Sequence, residues 1–140
     1  MDTLMSKCVM VIDENLPIGL IANTAAILDA TLGKKIPDFV GEDFTDQAGY
    51  EHLGIVANPI PILKGDKDII KTIRKRLYEP EFKDIVVVDF TNVAQTCNSY
   101  PEFVVRMSRV LEEDLQYLGL AICGEKKKVN RLTGSMPLLR

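Results

Sequence analysis

The sequence predicts a three-layer α/β fold, with a mostly parallel or mixed central sheet flanked by helices. Three observations carry that expectation. Short continuous apolar runs at residues 8–12, 85–88 and 120–123 have the length of strands buried on both faces. Between them, apolar residues recur at helical spacing over 18–32 and 69–77. Strands that alternate with helices assemble into a layered sheet joined by right-handed crossovers.

Cys8, Val9, Met10, Val11 and Ile12 form the first strand, which ends at Asp13-Glu14-Asn15. Asn15 is placed to cap a helix whose first turn accommodates Pro17. Ile18, Ile21, Ala25, Leu28 and Leu32 then line one face, and Gly33 is a natural terminator. Asp29 is the only charge in that helix before Gly33, so the helix should be sandwiched or covered by a partner subunit. This predicts a homodimer with a two-fold interface.

Residues 34–63 read as β-rich, with a turn at Asp46-Gln47-Ala48-Gly49 between Phe39-Val40 and the run 53–56. Pro59 and Pro61 confine the later part to a sheet edge or an extended exit. Asp66 caps an amphipathic helix with Ile69, Ile70, Ile73 and Leu77 on one side. Lys71, Arg74 and Lys75 on its other side read as a solvated basic stripe.

The four β-branched residues 85–88 are the strongest strand signal and lead into Asp89. A polar loop over 91–98 follows, then a capping box from Ser99 to Glu102. Val104, Met107, Leu111, Leu115 and Leu118 line the next predicted helix. Residues 120–123 make a short final strand. Residues 125–132 make a last helix stopped by Gly134, with an apolar tail over 136–139.

With 140 residues the chain has the size of one α/β domain spanning 1–140. It can bury roughly 70% of its unfolded surface, so its core needs no disulfide or metal. Hydrophobic residues at 46% and charged residues at 26% exclude a disordered chain. The net charge of −3 argues against nucleic acid as a partner, because phosphate binding rests on a basic excess. Cys8, Cys97 and Cys123 form no CxxC pair, and with one histidine no zinc-ligand spacing exists. They read as reduced thiols of a cytoplasmic protein, Cys8 and Cys123 as small core residues. The run 8–12 is too short for a signal-peptide core or a membrane span. No cofactor is expected, since neither GxxxxGK[ST] nor GxGxxG occurs.

The two most buried-looking strands, 8–12 and 85–88, end alike, at Asp13-Glu14-Asn15 and Asp89-Phe90-Thr91-Asn92. Ligands of open α/β sheets gather beyond the carboxyl ends of strands. If the two strands are parallel neighbours, Asp13 and Asp89 face each other across that crevice and can share a proton or a hard cation. The alternative is that each aspartate caps its following loop, the simpler reading for Asp13. Asn15, Thr24, Thr91 and Asn92 supply neutral donors and acceptors around the same crevice. Cys97 could serve as a nucleophile only beside a base, and nothing in the spacing brings His52 to it. The cluster Lys126-Lys127-Lys128 with Arg131 reads as a solvated face.

The C-terminal residues Ala121-Ile122-Cys123-Gly124, Val129-Asn130-Arg131-Leu132-Thr133-Gly134 and Leu138-Leu139 resemble the ending of type 2 peptidyl-tRNA hydrolases. Val88-Asp89 is similar to the family's strand ending, and Gly19-Leu20-Ile21-Ala22 to its first-helix start. The resemblance implies that family's fold, a homodimer, and a catalytic role for Asp89. Leu20 falls where the family has a lysine and Thr24 where it has a glutamine, and residues 91–116 replace a short loop. As a whole the chain resembles an uncharacterised bacterial family related to these hydrolases, marked by the run 12–28. The expected function is accordingly a small-ligand-binding or regulatory protein that does not hydrolyse peptidyl-tRNA. The alternative is a hydrolase of an ester or amide, with residual peptidyl-tRNA hydrolysis included.

Overall fold

A computed structural model describes residues 6–140. Its centre is a four-stranded sheet in the order β4 (Ile62–Gly65), β1 (Ser6–Asp13), β6 (Tyr117–Glu125), β5 (Val86–Thr91). β1 and β4 are parallel, and β6 runs antiparallel to both of its neighbours, so the sheet is mixed. Helix α1 (Ile18–Lys35) covers one face. Helices α2 (Lys67–Leu77) and α5 (Lys126–Thr133) cover the other.

The alternation of side chains along each strand divides the core in two. Cys8, Met10, Ile12, Ala121 and Cys123 pack toward α1, against Leu28 and Leu32. Val9, Val11, Leu120 and Ile122 pack toward α2 and α5, against Ile70, Ile73, Val129 and Leu132. Both faces of β1 and β6 are buried, which explains their unbroken apolar runs. α1 meets β6 at Gly119, where an added Cβ would lie only 2.8 Å from Thr24 Cγ2. The outward face of α1 is mostly small residues, Ala22, Ala26 and Ala30, with Ile18 and Ile27 also exposed.

Several expectations need correction. The strand read as short and final, 120–123, is the nine-residue centre of the sheet. The helix expected to run through Leu118 stops as α4 (Tyr100–Met107), and Leu118 lies in β6. Leu111, Leu115 and Leu118 keep helical spacing, but from Tyr117 onward the chain pairs with β1 and β5 and its side chains are buried on both faces of the sheet, which a helix with one apolar face would not achieve. The loop over 91–98 contains α3 (Asn92–Thr96). Helix α1 passes through Gly33 to Lys35, and Asn15 does not cap it; the Pro17 carbonyl accepts from Leu20 and Ile21 N–H instead.

The cysteines differ most from expectation. Cys8 and Cys123 stand directly opposite one another in the β1–β6 ladder, with Cα atoms 4.1 Å apart, and form a disulfide. Cross-strand register decides that pairing, and no spacing in the sequence displays it. The argument from reduced thiols to a cytoplasmic location falls with it. Among the described residues, no helix is long and apolar enough to cross a membrane.

The segment read as β-rich is mostly irregular. It forms an arm over residues 40–57 that carries only two-residue strands, β2 (Phe44–Thr45) and β3 (Glu51–His52). The Asp46 turn is present, with Gly49 at φ 87°. Asp46 Oδ1 accepts from Ala48 and Tyr50 N–H, and Oδ2 pairs with His52 Nε2 at 2.8 Å. The His52 ring holds the Asp46 carboxyl below its ordinary range, and the turn's backbone N–H groups act in the same direction. At the base, Val40 bridges Val56, and Gly54 packs so closely on Gly41 that no Cβ would fit. Pro61 precedes β4, the outermost strand on that side, as the prolines suggested. The C-terminal tail lies along the free side of β4: Lys64 N–H donates to the Pro137 carbonyl and Leu139 N–H to that of Ile62.

Asp66 caps α2 as expected, its Oδ1 accepting from Asp68 N–H at 2.9 Å and Ile69 N–H at 2.8 Å. Asp66→Ala is expected to lower stability by about 1 kcal/mol, read from the urea midpoint, with no change in slope.

Candidate functional site

β5 holds Asp89 on the same side of the sheet as Val87, facing α2. The residue is the fourth of six in that strand rather than its end, because Phe90 and Thr91 continue the ladder against β6. The strand with the strongest sequence signal is thus an edge. No segment other than β6 pairs with the backbone of 86–90 among the described residues.

Arg74 of α2 reaches across to Asp89, Nε to Oδ2 at 3.1 Å, with the two side chains 12% and 28% exposed. The guanidinium also lies over the Tyr78 ring, 4.2 Å from its centroid. Asp89 Oδ1 has no protein partner among the described residues, so one carboxylate oxygen is held and the other remains available. The pair is charge-compensated and half-buried, which favours a neutral N–H or O–H donor over a second cation.

Beside this pair runs a groove of about 640 Å³ along the open edge of β5. α1 contributes Ile27 and Thr31 to one wall, while Cys97, Asn98, Ser99, Tyr100 and Phe103 form the other. That size lies within the range of small-molecule sites. A cleft of about 420 Å³ lies between Lys7, Pro59 and Lys126, and a hollow beside the disulfide holds about 30 Å³.

The other candidate residues do not converge on this groove. β6 lies between β1 and β5, so Asp13 and Asp89 are separated by two strand spacings, about 10 Å, and further by their offset along the sheet. Asp13 is buried and its Oδ1 accepts from Asn15 N–H at 2.9 Å, which is the capping arrangement. The Asn15 side chain is exposed. Thr24 is fully buried, and its hydroxyl donates to the Leu20 carbonyl. Thr91, 1% exposed, caps α3 by accepting from Ala94 N–H, and Asn92 Oδ1 accepts from Gln116 N–H. Among the described residues no cluster of potential metal ligands forms.

The family model described as "Protein of unknown function (DUF2000)" matches residues 6–140. The chain belongs to the DUF2000 family. No curated protein matches it. A solved structure from Agrobacterium tumefaciens strain C58, itself of unknown function, is similar in fold. Its TM-score is 0.85 at 18% identity, over 96% of this chain and 97% of that one.

In this DUF2000 protein the basic stripe of α2 proves to be structural. Lys71 Nζ donates to the carbonyls of Glu112, Glu113 and Leu115, tying down the turn that enters β6. Lys71 also lies 5.5 Å from the Tyr117 ring centroid. The Tyr117 hydroxyl donates to Glu112 Oε1 at 2.8 Å, and burial, reinforced by that carboxylate, pushes the phenol far above its ordinary range. Only Lys75 of the three basic residues is exposed. No spacing along α2 singles out Arg74 as the partner of Asp89; only the packing of α2 on β5 does.

Cys97 and His52 take different partners. Arg106 Nη1 donates to Cys97 Sγ at 3.5 Å and to Thr96 Oγ1 at 2.9 Å, while His52 is held by Asp46 in the arm. The C-terminal basic cluster is partly paired as well, Arg131 with Glu81 and Lys128 with Asp84.

Proposed function

We propose that this DUF2000 protein binds a small polar ligand in the β5-edge groove, on a scaffold like that of type 2 peptidyl-tRNA hydrolases, and does not hydrolyse peptidyl-tRNA. The observation that carries the reading is the state of Asp89: it lines an open groove, Arg74 holds one of its oxygens, and the other takes no protein partner among the described residues. A carboxylate held this way orients a ligand hydroxyl or amide without needing a cation from it. The unpaired backbone of β5 offers further donors and acceptors alongside, and Tyr100 and Phe103 give the ligand an apolar wall. Leu20, partly buried against the core, supports the absence of hydrolysis. A lysine there could stabilise developing negative charge on a substrate, and a leucine cannot.

The test is a panel of small primary amides and polyols, screened by ligand-observed NMR and titrated where a signal appears. Asp89→Asn is expected to weaken binding ten- to a hundredfold, the value of one charge-assisted hydrogen bond, while the melting temperature moves little. Equal affinity in wild type and variant would sink the site. Turnover of diacetyl-lysyl-tRNA at a rate comparable to a type 2 peptidyl-tRNA hydrolase would overturn the rest of the reading.

A further inference from the structure

The sheet register fixes which backbone groups of β5 point into the groove. Met10 N–H donates to the Pro61 carbonyl at 2.9 Å, so the Met10 backbone faces β4 rather than β6. In an antiparallel ladder the residue opposite then also turns its backbone groups away, and Ala121 bonds toward β5. Ala121 stands opposite Val88, so Val88 exchanges its hydrogen bonds with β6. Backbone groups alternate in direction along a strand, and Val87 and Asp89 therefore point theirs outward. Neither residue has a backbone partner outside β6 among the described residues.

Two donors and two acceptors thus stand along this edge, repeating at about 7 Å from Val87 to Asp89. An extended polypeptide carries the same repeat on its own edge. The groove also takes a wall from each face of the sheet: Ile27 and Thr31 stand on the α1 side, while Cys97 and Phe103 pack on the α2 side. A strand laid beside β5 sends successive side chains to opposite faces, one toward Ile27 and Thr31, the next toward Asp89 and Phe103. Asp89 is the one charged residue lining the groove among the described residues, and Arg74 already balances it. That chemistry suits an uncharged segment with a hydroxyl or amide on the Asp89 side and an apolar side chain on the α1 side.

We infer that the ligand of this groove is an extended, uncharged peptide segment that adds to the sheet as a new strand beside β5. The inference rests on the groove site proposed above and names the class of ligand it takes. Backbone hydrogen bonds to Val87 and Asp89 supply the attraction, and the two walls select the alternating side chains. The free oxygen of Asp89 takes the hydroxyl or amide proton of the side chain beside it.

Hydrogen exchange followed by NMR tests it amide by amide, with acetyl-Val-Thr-Val-Thr-Val-amide as the probe. In the free protein the N–H groups of Val86 and Val88 are expected to exchange slowly and those of Val87 and Asp89 fast. Saturation with the peptide should slow Val87 and Asp89 by about tenfold or more. Methylating the backbone nitrogens of either the two threonines or the inner valine separates the two edges of the peptide. One of these changes should weaken binding by about tenfold or more and the other should be tolerated, because only one edge of the peptide meets β5. Protection of Val87 and Asp89 already present in the free protein would mean that a second copy or another part of the chain holds the edge, and would overturn the inference. A peptide that leaves both amides unprotected, or N-methyl variants that bind alike, would overturn it as well. If the peptide fails while amides or polyols bind in an Asp89-dependent way, the groove site stands and the strand addition falls. If all of them fail, both fall.

Discussion

Removing the Cys8–Cys123 bond is expected to lower the stability of this protein by about 3 kcal/mol, or roughly 10 °C in melting temperature. The bond joins positions 115 residues apart, so it closes nearly the whole chain into a loop and strongly restricts the unfolded ensemble. It links β1 to β6, the two strands buried on both faces, whose pairing the rest of the molecule is built upon. The backbone ladder survives its loss, so the reduced protein should remain folded and unfold earlier. Cys8→Ala with Cys123→Ala and treatment of the wild type with dithiothreitol should give the same shift in urea. Coincident oxidised and reduced curves would show that the bond does not form in solution.

Gly119→Val should be at least as damaging. Gly119 sits where α1 crosses the central strand, and its neighbours are Thr24 Cγ2, the Val11 carbonyl and Leu28 Cδ1. Thr24 and Leu28 are fully buried on a helix that spans the face, so they cannot give way individually. Admitting a valine lifts the helix from the sheet, at a cost of about 3 kcal/mol or more. Gly33→Ala is the control: nothing lies within 4 Å of an added Cβ there, and the position is helical. That substitution should stabilise the protein by about 0.5–1 kcal/mol. If both glycine variants melt alike, the close approach of α1 to β6 is wrong.

The strands at 8–12 and 85–88, the helices starting at Ile18 and after Asp66, and a sheet with helices on both faces could be read from apolar period and caps, while strand direction, parallel or mixed, stayed open. Those signals are local, and the structure agrees with them. What escaped depended on contacts between distant segments. Four β-branched residues made β5 look central, yet edge and centre are set by neighbours, and β6 occupies the centre. The helical spacing of Leu111, Leu115 and Leu118 continued a true helix into a strand, because apolar period alone does not register where pairing partners stand. The cysteine pair appears only once β1 and β6 are aligned. Asp89 could be picked out from the sequence, but Arg74 could not: a charge on a helix looks solvated until the strand beneath it is known to carry an acid.

The C-terminal tail has one more consequence. By pairing with the free side of β4, Pro137 and Leu139 leave the sheet, among the described residues, with a single exposed border, at β5. Fibrous growth by strand addition requires two such borders, one to receive and one to offer. A molecule with its second border already occupied by its own chain can join one neighbour edge to edge and then has nowhere left to extend. Trimming the last residues would restore the second border, and with it the capacity to polymerise.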